Sequence, residues 1–365
     1  MKSFDFVVIG GGIAGLITAW EFREFNTVLL DKEGVLKKAS GAAGAFLFPK
    51  IGLDSGYTRF INNAILESIK FYETHGINTN KKGVVLLPRD ERDIEKFKQY
   101  EKEIRLPYKK VKSGFYFDFG SVVNPEEIAE KLKVNFEKHE VKNIKKIDDY
   151  WVIDDYIKTK NIILATGYEE IIDIPYIKIR PVWGERIEIE ADFEDNEICS
   201  LKKCYFHKNC SIGEIDGIIK IGATHKRGCL TCKENLEEAE ELIQKANEIV
   251  KINDFKILDI KGGFRAASVD YFPVVGKIID VNKTLLEDKY IVKGDKPKKL
   301  WYIDGLYIIN GMGGRGFSNA VVCARMLKNH ILKNTPLGHI DTVRLFIKWA
   351  RKEGEEYLRR LNVKS

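Results

Sequence analysis

The sequence lacks an apolar run long enough to cross a bilayer. The longest weakly polar run near its start, residues 6–20, is interrupted by four glycines and is shorter than the ~20 residues that a spanning helix needs. The run opens into a glycine turn and not into a small-residue cleavage site, which argues against a secretory signal. We therefore expect a cytoplasmic protein without a membrane segment, whose six cysteines are reduced.

The composition also lacks the bias of a disordered or fibrous chain. The 365 residues are 44% hydrophobic and 31% charged, which is typical of a globular protein with a sizeable core and, at this length, two domains. The formal net charge of +6 permits a polyanionic partner without requiring one.

Apolar periodicity in residues 4–34 predicts a βαβ unit. Apolar residues run together at 6–9, recur at helical spacing over 13–22, and run together again at 27–30. The segment therefore predicts a strand, a helix and a second strand, joined first by a glycine-rich turn.

The turn of this unit has the G-x-G-x-x-G pattern of a dinucleotide site. Gly10 makes the tight turn, Gly12 lets the backbone approach a pyrophosphate, and Gly15 permits close packing of the helix. Asp31 ends the second strand, where an acidic side chain accepts hydrogen bonds from a ribose. A glycine turn without a ligand is the alternative, but it leaves Asp31 unexplained. The other predicted cofactor contacts here are Ile13, Ala14 and Lys32.

The next segment favours a flavin over a nicotinamide. A nicotinamide dehydrogenase usually continues with alternating strands and helices, whereas residues 37–52 form a run of small residues without either period. Such a run lets the backbone pass close to a large flat ring, although a plain flexible loop is the alternative. The predicted cofactor contacts in this run are Ser40, Gly41, Ala42 and Gly44.

Two later segments return to the predicted cofactor site. A short strand over 161–164 leads into an Ala-Thr-Gly sequence, which is typical of flavoproteins with a two-dinucleotide-binding fold. A strand near the C-terminus ends in a glycine-rich turn that opens a helix, and the amide dipoles of that helix can point at an electron-rich group. The predicted contacts are Val141, Ala165, Thr166, Gly167, Gly311, Gly313, Gly314, Arg315, Gly316 and Phe317.

From residue 4 to about 331 the chain resembles the D-amino-acid-oxidase-like superfamily of FAD enzymes, which includes glycine oxidase and sarcosine oxidase. Within that superfamily it is most similar to the C-terminal FAD domain of bifunctional enzymes of tRNA 5-methylaminomethyl-2-thiouridine biosynthesis. The resemblance implies an α/β fold in which an FAD-binding Rossmann-like (two-dinucleotide-binding-fold) domain carries a second, antiparallel β-sheet substrate domain. The segments that carry it are ASGAAGAFLFP, IGATHKRG, GGFRAASVDYFPVVG and NGMGGRGFSNAVVCARML.

In this superfamily both domains are assembled from separated segments. We assign residues 1–78, 120–173 and 261–335 to the FAD-binding domain, 79–119 and 174–260 to the substrate domain, and 336–365 to a C-terminal helix. On that helix we expect an inward face of Leu345, Trp349 and Tyr357 and an outward face of Arg344, Lys348, Arg351, Lys352 and Arg359.

The resemblance assigns a role to Arg265. In glycine-oxidase-like enzymes the arginine of this motif reaches the flavin site and pairs with the substrate carboxylate, for which a planar guanidinium is suited. The alternative is that Arg265 pairs with Asp270 or caps a loop. Arg315 either stabilises negative charge on the reduced flavin or faces a nucleic acid.

The implied reaction is oxidative removal of the carboxymethyl group from 5-carboxymethylaminomethyl-uridine at the tRNA wobble position, giving 5-aminomethyl-uridine. A flavin that accepts hydride needs no Ser-His-Asp set. A small-molecule oxidase or dehydrogenase for glycine, sarcosine or a D-amino acid is the alternative, and a non-catalytic flavin- or RNA-binding protein is a third possibility.

The chain departs from the tRNA enzymes in two respects. It starts at the FAD fold, so a final methylation would come from a separate methyltransferase or not occur. Residues 42–44 read Ala-Ala-Gly where the best-known relatives carry Asn-Arg-Gln, which removes polar side chains near the flavin.

Two smaller clusters leave alternatives open. The basic residues 225–227 either meet RNA phosphates or form a solvated strand end. The second cluster contains the candidate zinc ligands Cys204, His207, Cys210, Cys229 and Cys232. The first three lie in a strand-rich region, where residues three apart point to opposite faces, so we predict no metal.

No cysteine is placed for a covalent flavin tether, so we predict non-covalent FAD.

Overall fold

A computed structural model describes residues 1–364; Ser365, the last residue of the predicted C-terminal segment, lies outside the described residues. The strands are β1 (Lys2–Ile9), β2 (Thr27–Asp31), β3 (Phe46–Leu47), β4 (Val84–Leu86), β5 (Lys109–Val111), β6 (Gly114–Phe117), β7 (Ser121–Val122), β8 (Phe136–Lys138), β9 (Ile144–Ile147), β10 (Tyr150–Ile153), β11 (Ile157–Leu164), β12 (Arg180–Glu194), β13 (Tyr205–His207), β14 (Ser211–Ile215), β15 (Ile218–Gly222), β16 (Lys226–Arg227), β17 (Lys251–Ala267), β18 (Val274–Ile279) and β19 (Tyr302–Asn310).

The helices lie between these strands and after the last of them. They are α1 (Ile13–Glu21), α2 (Gly56–Thr74), α3 (Glu91–Glu101), α4 (Pro125–Lys131), α5 (Leu236–Asn247), α6 (Val281–Glu287), α7 (Gly316–Lys333) and α8 (Val343–Lys364). Short 3-10 helices span Lys289–Lys293, Gly313–Arg315 and Gly338–Ile340.

The first sheet follows the order β18-β19-β11-β1-β2-β8, and its neighbours from β19 to β8 are parallel. Successive side chains of a strand point to opposite faces, and both faces of β1 are buried. Val8 packs into a core with α1, α2 and α7, whereas Val7 packs into a second core with α6 and α8. The second half of the strand, residues 6–9, is apolar because helices cover both faces of this sheet.

The second sheet is a mostly antiparallel layer built on two long strands. Strands β12 and β17 pair along their length, from Arg180 opposite Ala267 to Glu194 opposite Lys251, with two irregularities. Its path runs β16-β12-β15-β14-β13-β4-β6-β5, and α5 packs on one face over Ile187 and Ile212. The predicted fold class, a Rossmann-like layer with a second antiparallel sheet, is confirmed.

The predicted βαβ unit is also confirmed, since β1, α1 and β2 occupy the expected positions. The predicted domain boundaries stay predictions. Strand β17 crosses one of them, at residue 261, without leaving the second sheet.

On α8 the prediction of an inward face is right for Leu345 and Trp349, which are buried, and Tyr357 is partly buried. The prediction for Arg344 is wrong. Its guanidinium turns inward and donates to both carboxylate oxygens of Asp270, at 2.8 and 3.0 Å. The partly buried carboxylate of Asp270, on a neighbouring turn, outweighs the helical pattern at that position.

No helix in residues 1–364 is both long and apolar enough to cross a bilayer.

Candidate active site

A cavity of about 1000 Å³ lies where the parallel strands of the first sheet end and the second sheet begins. Gly10, Asp31, Ala165 and Gly311 line it, and each of them ends one of the strands β1, β2, β11 and β19 or directly follows it. Ligands bind at this edge of open α/β sheets, outside the carboxyl ends of the strands. The position of the cavity therefore follows from the topology.

The first glycine turn packs its backbone against the backbone at the end of β11. Gly10 has φ +113°, and a Cβ on it would overlap the carbonyl of Ala165 at the end of β11. A Cβ on Gly15 would overlap the carbonyl of Gly10, so Gly15 lets α1 pack against the turn after β1. Gly15 does not line the cavity. The structure thus gives Gly10 and Gly15 the packing that the motif predicts, and Gly12, Ile13 and Ala14 face the cavity.

Asp31 lines the cavity and also fixes the turn. Its carboxylate accepts from the backbone N–H of Gly11 at 2.7 Å, and from those of Glu33 and Gly34 at 2.7 and 2.9 Å. The carboxylate is therefore held in one orientation by three amides before a ribose is present. Lys32, the neighbouring predicted contact, lines the cavity and pairs with Glu169 at 3.0 Å.

The small-residue run after β2 forms part of the cavity wall. Ser40 Oγ accepts from the N–H of Ile13 at 3.0 Å, and so satisfies an amide at the start of α1. Ala42 and Gly44 line the cavity, and the carbonyl of Ala42 accepts from Arg186 of β12 at 3.0 Å. Gly41 lies behind the wall, because a Cβ there would overlap the carbonyl of Leu36.

The opposite wall is made by the turns after β11 and β19. Asn310 donates to the carbonyl of Gly167 at 2.7 Å and so joins the two turns. A Cβ on Gly167 or Gly313 would meet no atom within 4 Å, so both glycines border open space. The remaining predicted residues that line the cavity are Val141, Ala165, Thr166, Gly311, Gly314, Arg315, Gly316 and Phe317.

These walls fit a dinucleotide with a flat ring. The N-cap residue of α1 is Gly12 and that of α7 is Arg315, and neither supplies a side-chain cap to its helix. Both helix starts line the same cavity, where the amides that remain free favour negative charge. One start suits a pyrophosphate, and the other suits the oxygen-bearing edge of a flavin.

Arg265 lies on the cavity wall, on the part of the second sheet that faces the glycine turns. Its Nη1 donates to the carbonyls of Thr224 at 3.0 Å and Trp183 at 3.4 Å. Among the described residues no carboxylate forms an ion pair with it, and Asp270 is paired with Arg344. Burial lowers the pKa of Arg265, since protein replaces water around the charge. The structure therefore does not show the alternative of an Asp270 pair, whereas the bond to Thr224, in the loop between β15 and β16, is consistent with the other alternative, a loop cap.

The position of the Arg265 guanidinium depends on Gly184 of β12. A Cβ on Gly184 would overlap both terminal nitrogens of Arg265. Only a residue without a side chain lets the guanidinium lie flat across the strand at this point.

We expect the Gly184→Ala variant to displace Arg265 while leaving the cofactor turns intact. kcat/KM for a carboxylate-bearing substrate should fall at least tenfold, since a displacement of about 1 Å at a positioning group costs ~10²-fold in rate in other enzymes. Steady-state kinetics with FAD content as the second readout checks this. Gly52→Ala is the matched control, because a Cβ there has only one contact, at 3.8 Å. Equal kcat/KM in both variants would contradict the positioning role of Gly184.

A second cation, Arg315, lies at another part of the wall. Its Nη1 donates to the carbonyl of Phe48 at 3.2 Å, and the described residues offer it no carboxylate partner. Burial lowers the pKa of Arg315, and the phenol of Tyr57 opposes this shift. Burial lowers the pKa of Lys50, and the positive charge of Arg315 lowers it further. The cavity therefore carries uncompensated positive charge near the start of α7.

His207 adds a neutral polar group to the same region. Its Nδ1 lies 2.9 Å from Ser211 Oγ, and its ring lies edge-on to Phe48 with centroids 6.4 Å apart. His207 is exposed at the cavity, where the surrounding protein lowers the pKa of its ring and the cations of Arg315 and Arg89 add to that shift. The imidazole is therefore uncharged at neutral pH.

The cysteine predictions are partly wrong. The structure pairs Cys199 with Cys204 and Cys229 with Cys232 as disulfides, so only Cys210 and Cys323 are free thiols as predicted. Residues 1–364 contain no cluster of three or more His, Cys, Asp or Glu side chains placed to hold a metal, so the candidate zinc ligands are not brought together. Cys210 borders the cavity, but burial raises the pKa of its thiol to about 12, which keeps it protonated.

Several residues that line the cavity are not predicted to do so by the sequence. These residues are Phe48, Tyr57, Trp183, His207, Thr224 and Tyr271. Phe48, Thr224 and Tyr271 lie within segments that carry the family resemblance, and His207 is a candidate only for zinc. Tyr57 and Trp183 have no such signal.

The FAD dependent oxidoreductase (DAO) family matches residues 5–329 of the chain. Two curated relatives are bifunctional tRNA 5-methylaminomethyl-2-thiouridine biosynthesis proteins. The protein from Campylobacter fetus is 23% identical, over 92% of this chain and 57% of its own length. The protein from Campylobacter jejuni subsp. doylei is 26% identical, over 92% of this chain and 56% of its own length. The chain thus spans about half the length of these relatives.

Solved structures share the fold at low identity. Glycine oxidase from Geobacillus kaustophilus superimposes with a TM-score of 0.73 at 16% identity, covering 94% of this chain and 99% of that one. Iminodiacetate oxidase from Chelativorans sp. BNC1 gives 0.72 at 14% identity, covering 92% and 98%. With the cavity walls described above, the family match makes FAD the cofactor, bound without a covalent link. The chain belongs to the DAO family of FAD-dependent oxidoreductases.

Proposed function

We propose that the protein oxidatively removes the carboxymethyl group from 5-carboxymethylaminomethyl-uridine at the wobble position of tRNA. Bound FAD would accept a hydride from the carbon between the amine and the carboxylate. Water then hydrolyses the resulting carbon–nitrogen double bond, so that 5-aminomethyl-uridine remains and glyoxylate leaves. The observation that carries the proposal is the uncompensated guanidinium of Arg265 on the cavity wall.

Arg265 is suited to bind the carboxylate of this substrate. Its Nη1 is occupied by the carbonyls of Thr224 and Trp183, and these contacts hold the plane of the guanidinium. No hydrogen bond to another described residue uses its Nη2 or Nε, so two donors remain for one carboxylate. A bound anion would also offset the cost of burying this charge. The site therefore selects an amine that carries a carboxylate.

Arg315 and the start of α7 would act on the charge that develops during the reaction. Gly316 and Phe317 begin α7 at the cavity, and the N-cap residue leaves their amides without a side-chain partner. Donors aimed at developing negative charge in a water-poor site lower the barrier more than they would in water. Arg315 adds a fixed positive charge beside them.

The relatives support a carboxymethyl amine as substrate. The Campylobacter proteins act in tRNA 5-methylaminomethyl-2-thiouridine biosynthesis, and the two similar structures are oxidases of glycine and iminodiacetate. Glycine, iminodiacetate and the modified uridine share a nitrogen attached to a carboxymethyl group. We propose tRNA as one partner. The other is a methyltransferase, separate or not, that acts on the aminomethyl product.

An exposed basic stretch fits the RNA part of the proposal. His225, Lys226 and Arg227 are exposed, and His225 also borders the cavity. Lys226 pairs with Glu238 at 3.4 Å, and Arg227 Nε donates to His225 Nε2 at 3.4 Å, which leaves the terminal nitrogens of Arg227 as the groups most open to a phosphate.

A small carboxymethyl amine is the second candidate. Glycine oxidase and iminodiacetate oxidase share the fold over more than nine-tenths of the chain, and Arg265 would serve a free amino acid as well. The difference lies in the rest of the substrate and not in the group that Arg265 binds.

Product analysis separates the candidates. The protein is incubated with tRNA carrying 5-carboxymethylaminomethyl-uridine, the tRNA is digested to nucleosides, and both the nucleosides and glyoxylate are quantified. We expect 5-aminomethyl-uridine and glyoxylate in equal amounts. Glyoxylate from glycine or iminodiacetate, with the nucleoside unchanged, would contradict the tRNA proposal and support the second candidate.

A further inference from the structure

Tyr271 lies at the cavity in an unusual backbone conformation. Its φ is +69°, a region that a bulky side chain rarely adopts and that glycine or asparagine usually fills. Its side chain lines the cavity, and 61% of its surface is exposed. A large aromatic group is therefore kept in a strained position, largely in contact with solvent. Such residues are concentrated at binding and catalytic sites.

Both neighbours of Tyr271 are anchored, which explains how the strained conformation persists. Asp270 accepts from Arg344 of α8 at 2.8 and 3.0 Å, and the carbonyl of Phe272 accepts from Arg344 at 3.0 Å. The ring of Phe272 packs edge-on against Tyr57, with centroids 5.1 Å apart. Because the residues on either side are fixed, the chain reverses at Tyr271 and directs its ring away from the core.

Tyr271 shares the cavity with its cationic groups. Tyr57, Tyr271 and Arg315 all line that cavity, and Tyr57 packs against Phe272, the residue that follows Tyr271. Tyr271 also follows Arg265 by only six residues, just after β17 ends. A substrate whose carboxylate is held by Arg265 would present its remaining part near this ring.

We propose that Tyr271 is a specificity residue that stacks on the nucleobase bearing the carboxymethylaminomethyl group. The inference rests on the proposed function. A nucleobase offers a flat π-face to an exposed aromatic ring, and stacking of this kind tolerates any base. A free amino acid has no such face, so Tyr271 would contribute to tRNA recognition and not to oxidation of a small amine.

The test compares four variants. Tyr271→Ala removes the ring, Tyr271→Phe keeps it without the hydroxyl, and Tyr271→Gly removes it and relieves the backbone. Tyr290→Ala is the matched control, since Tyr290 is 60% exposed and does not line the cavity. Each holoenzyme is titrated anaerobically with modified tRNA and, separately, with iminodiacetate, and flavin reduction is followed.

For tRNA we expect the half-saturating concentration to rise about tenfold in Tyr271→Ala and Tyr271→Gly, with the limiting rate of reduction unchanged. Tyr271→Phe and Tyr290→Ala should match the wild type, as should any response of all variants to iminodiacetate. Tyr271→Gly should unfold at a higher temperature than Tyr271→Ala, because glycine accepts the positive φ.

Three results would overturn the inference. If all variants had the same half-saturating concentration of tRNA, the inference about Tyr271 would be wrong and the proposed function would still stand. A lower limiting rate with unchanged half-saturation would do the same. No reduction of the wild type by tRNA would overturn the proposed function and this inference with it.

Discussion

Replacement of Arg265 by alanine is expected to lower kcat/KM for the carboxymethyl amine substrate by about 10²- to 10³-fold. The expectation follows from the loss of a charge-assisted pair in a site shielded from water, where truncating one partner costs ~2–5 kcal/mol. Arg265→Lys should restore only a small part of the activity, because an ammonium keeps the charge but not the planar pair of donors.

FAD content distinguishes a substrate role for Arg265 from a structural one. The guanidinium donates to the carbonyl of Trp183 in β12 and to that of Thr224 in the loop after β15, and it has no hydrogen bond to a glycine turn, so Arg265→Ala should purify with as much FAD as the wild type. Arg23→Ala is the control, since Arg23 is exposed and also donates to a carbonyl, that of Trp20. Normal kcat/KM in Arg265→Ala would contradict the assignment.

Replacement of Gly10 by alanine is expected to weaken FAD binding by about 10- to 100-fold or more. A Cβ at this position would overlap the carbonyl of Ala165, and φ at +113° is unfavourable for any side chain. Strain of this kind costs ~1–3 kcal/mol at one residue, and relieving it would move the turn that approaches the pyrophosphate. The ratio of flavin to protein absorbance after purification, and titration of the apoprotein with FAD, measure the effect.

Gly217→Ala is the matched control for the backbone part of that effect. Gly217 has φ +83°, but a Cβ there would meet no atom within 4 Å, and the residue does not line the cavity. It should lose some stability and keep its FAD. If Gly10→Ala and Gly217→Ala retained the same amount of FAD, the close contact between the turns after β1 and β11 would not determine cofactor binding.

The cofactor half of the site could be predicted from the sequence because it is made by local patterns. Gly15 and Asp31 act through backbone geometry within one βαβ unit, and the spacing of the motif fixes that geometry, whereas Gly10 also contacts the carbonyl of Ala165 outside the unit. The turn after β11 and the start of α7 carry similar short signals. Their arrival at one cavity follows from the parallel order of β1, β11 and β19.

The substrate half could be predicted only in part. Arg265 was assigned by a resemblance, but its dependence on Gly184 and the pairing of Asp270 with Arg344 involve residues far apart in the chain. The positive φ of Tyr271 likewise has no local signal, since anchors from α8 and Tyr57 impose it. The disulfides contradict an expectation that rested on the cell compartment and not on geometry.

The most direct test of the account is anaerobic reduction of the bound flavin. The purified protein is mixed in separate reactions with tRNA carrying 5-carboxymethylaminomethyl-uridine, with the same tRNA lacking that modification, and with glycine, sarcosine or D-alanine, while the visible band of oxidised flavin is recorded. The account predicts stoichiometric bleaching by the modified tRNA, none by the unmodified tRNA, and loss of bleaching in Arg265→Ala. Bleaching by a free amino acid but not by the modified tRNA would contradict it.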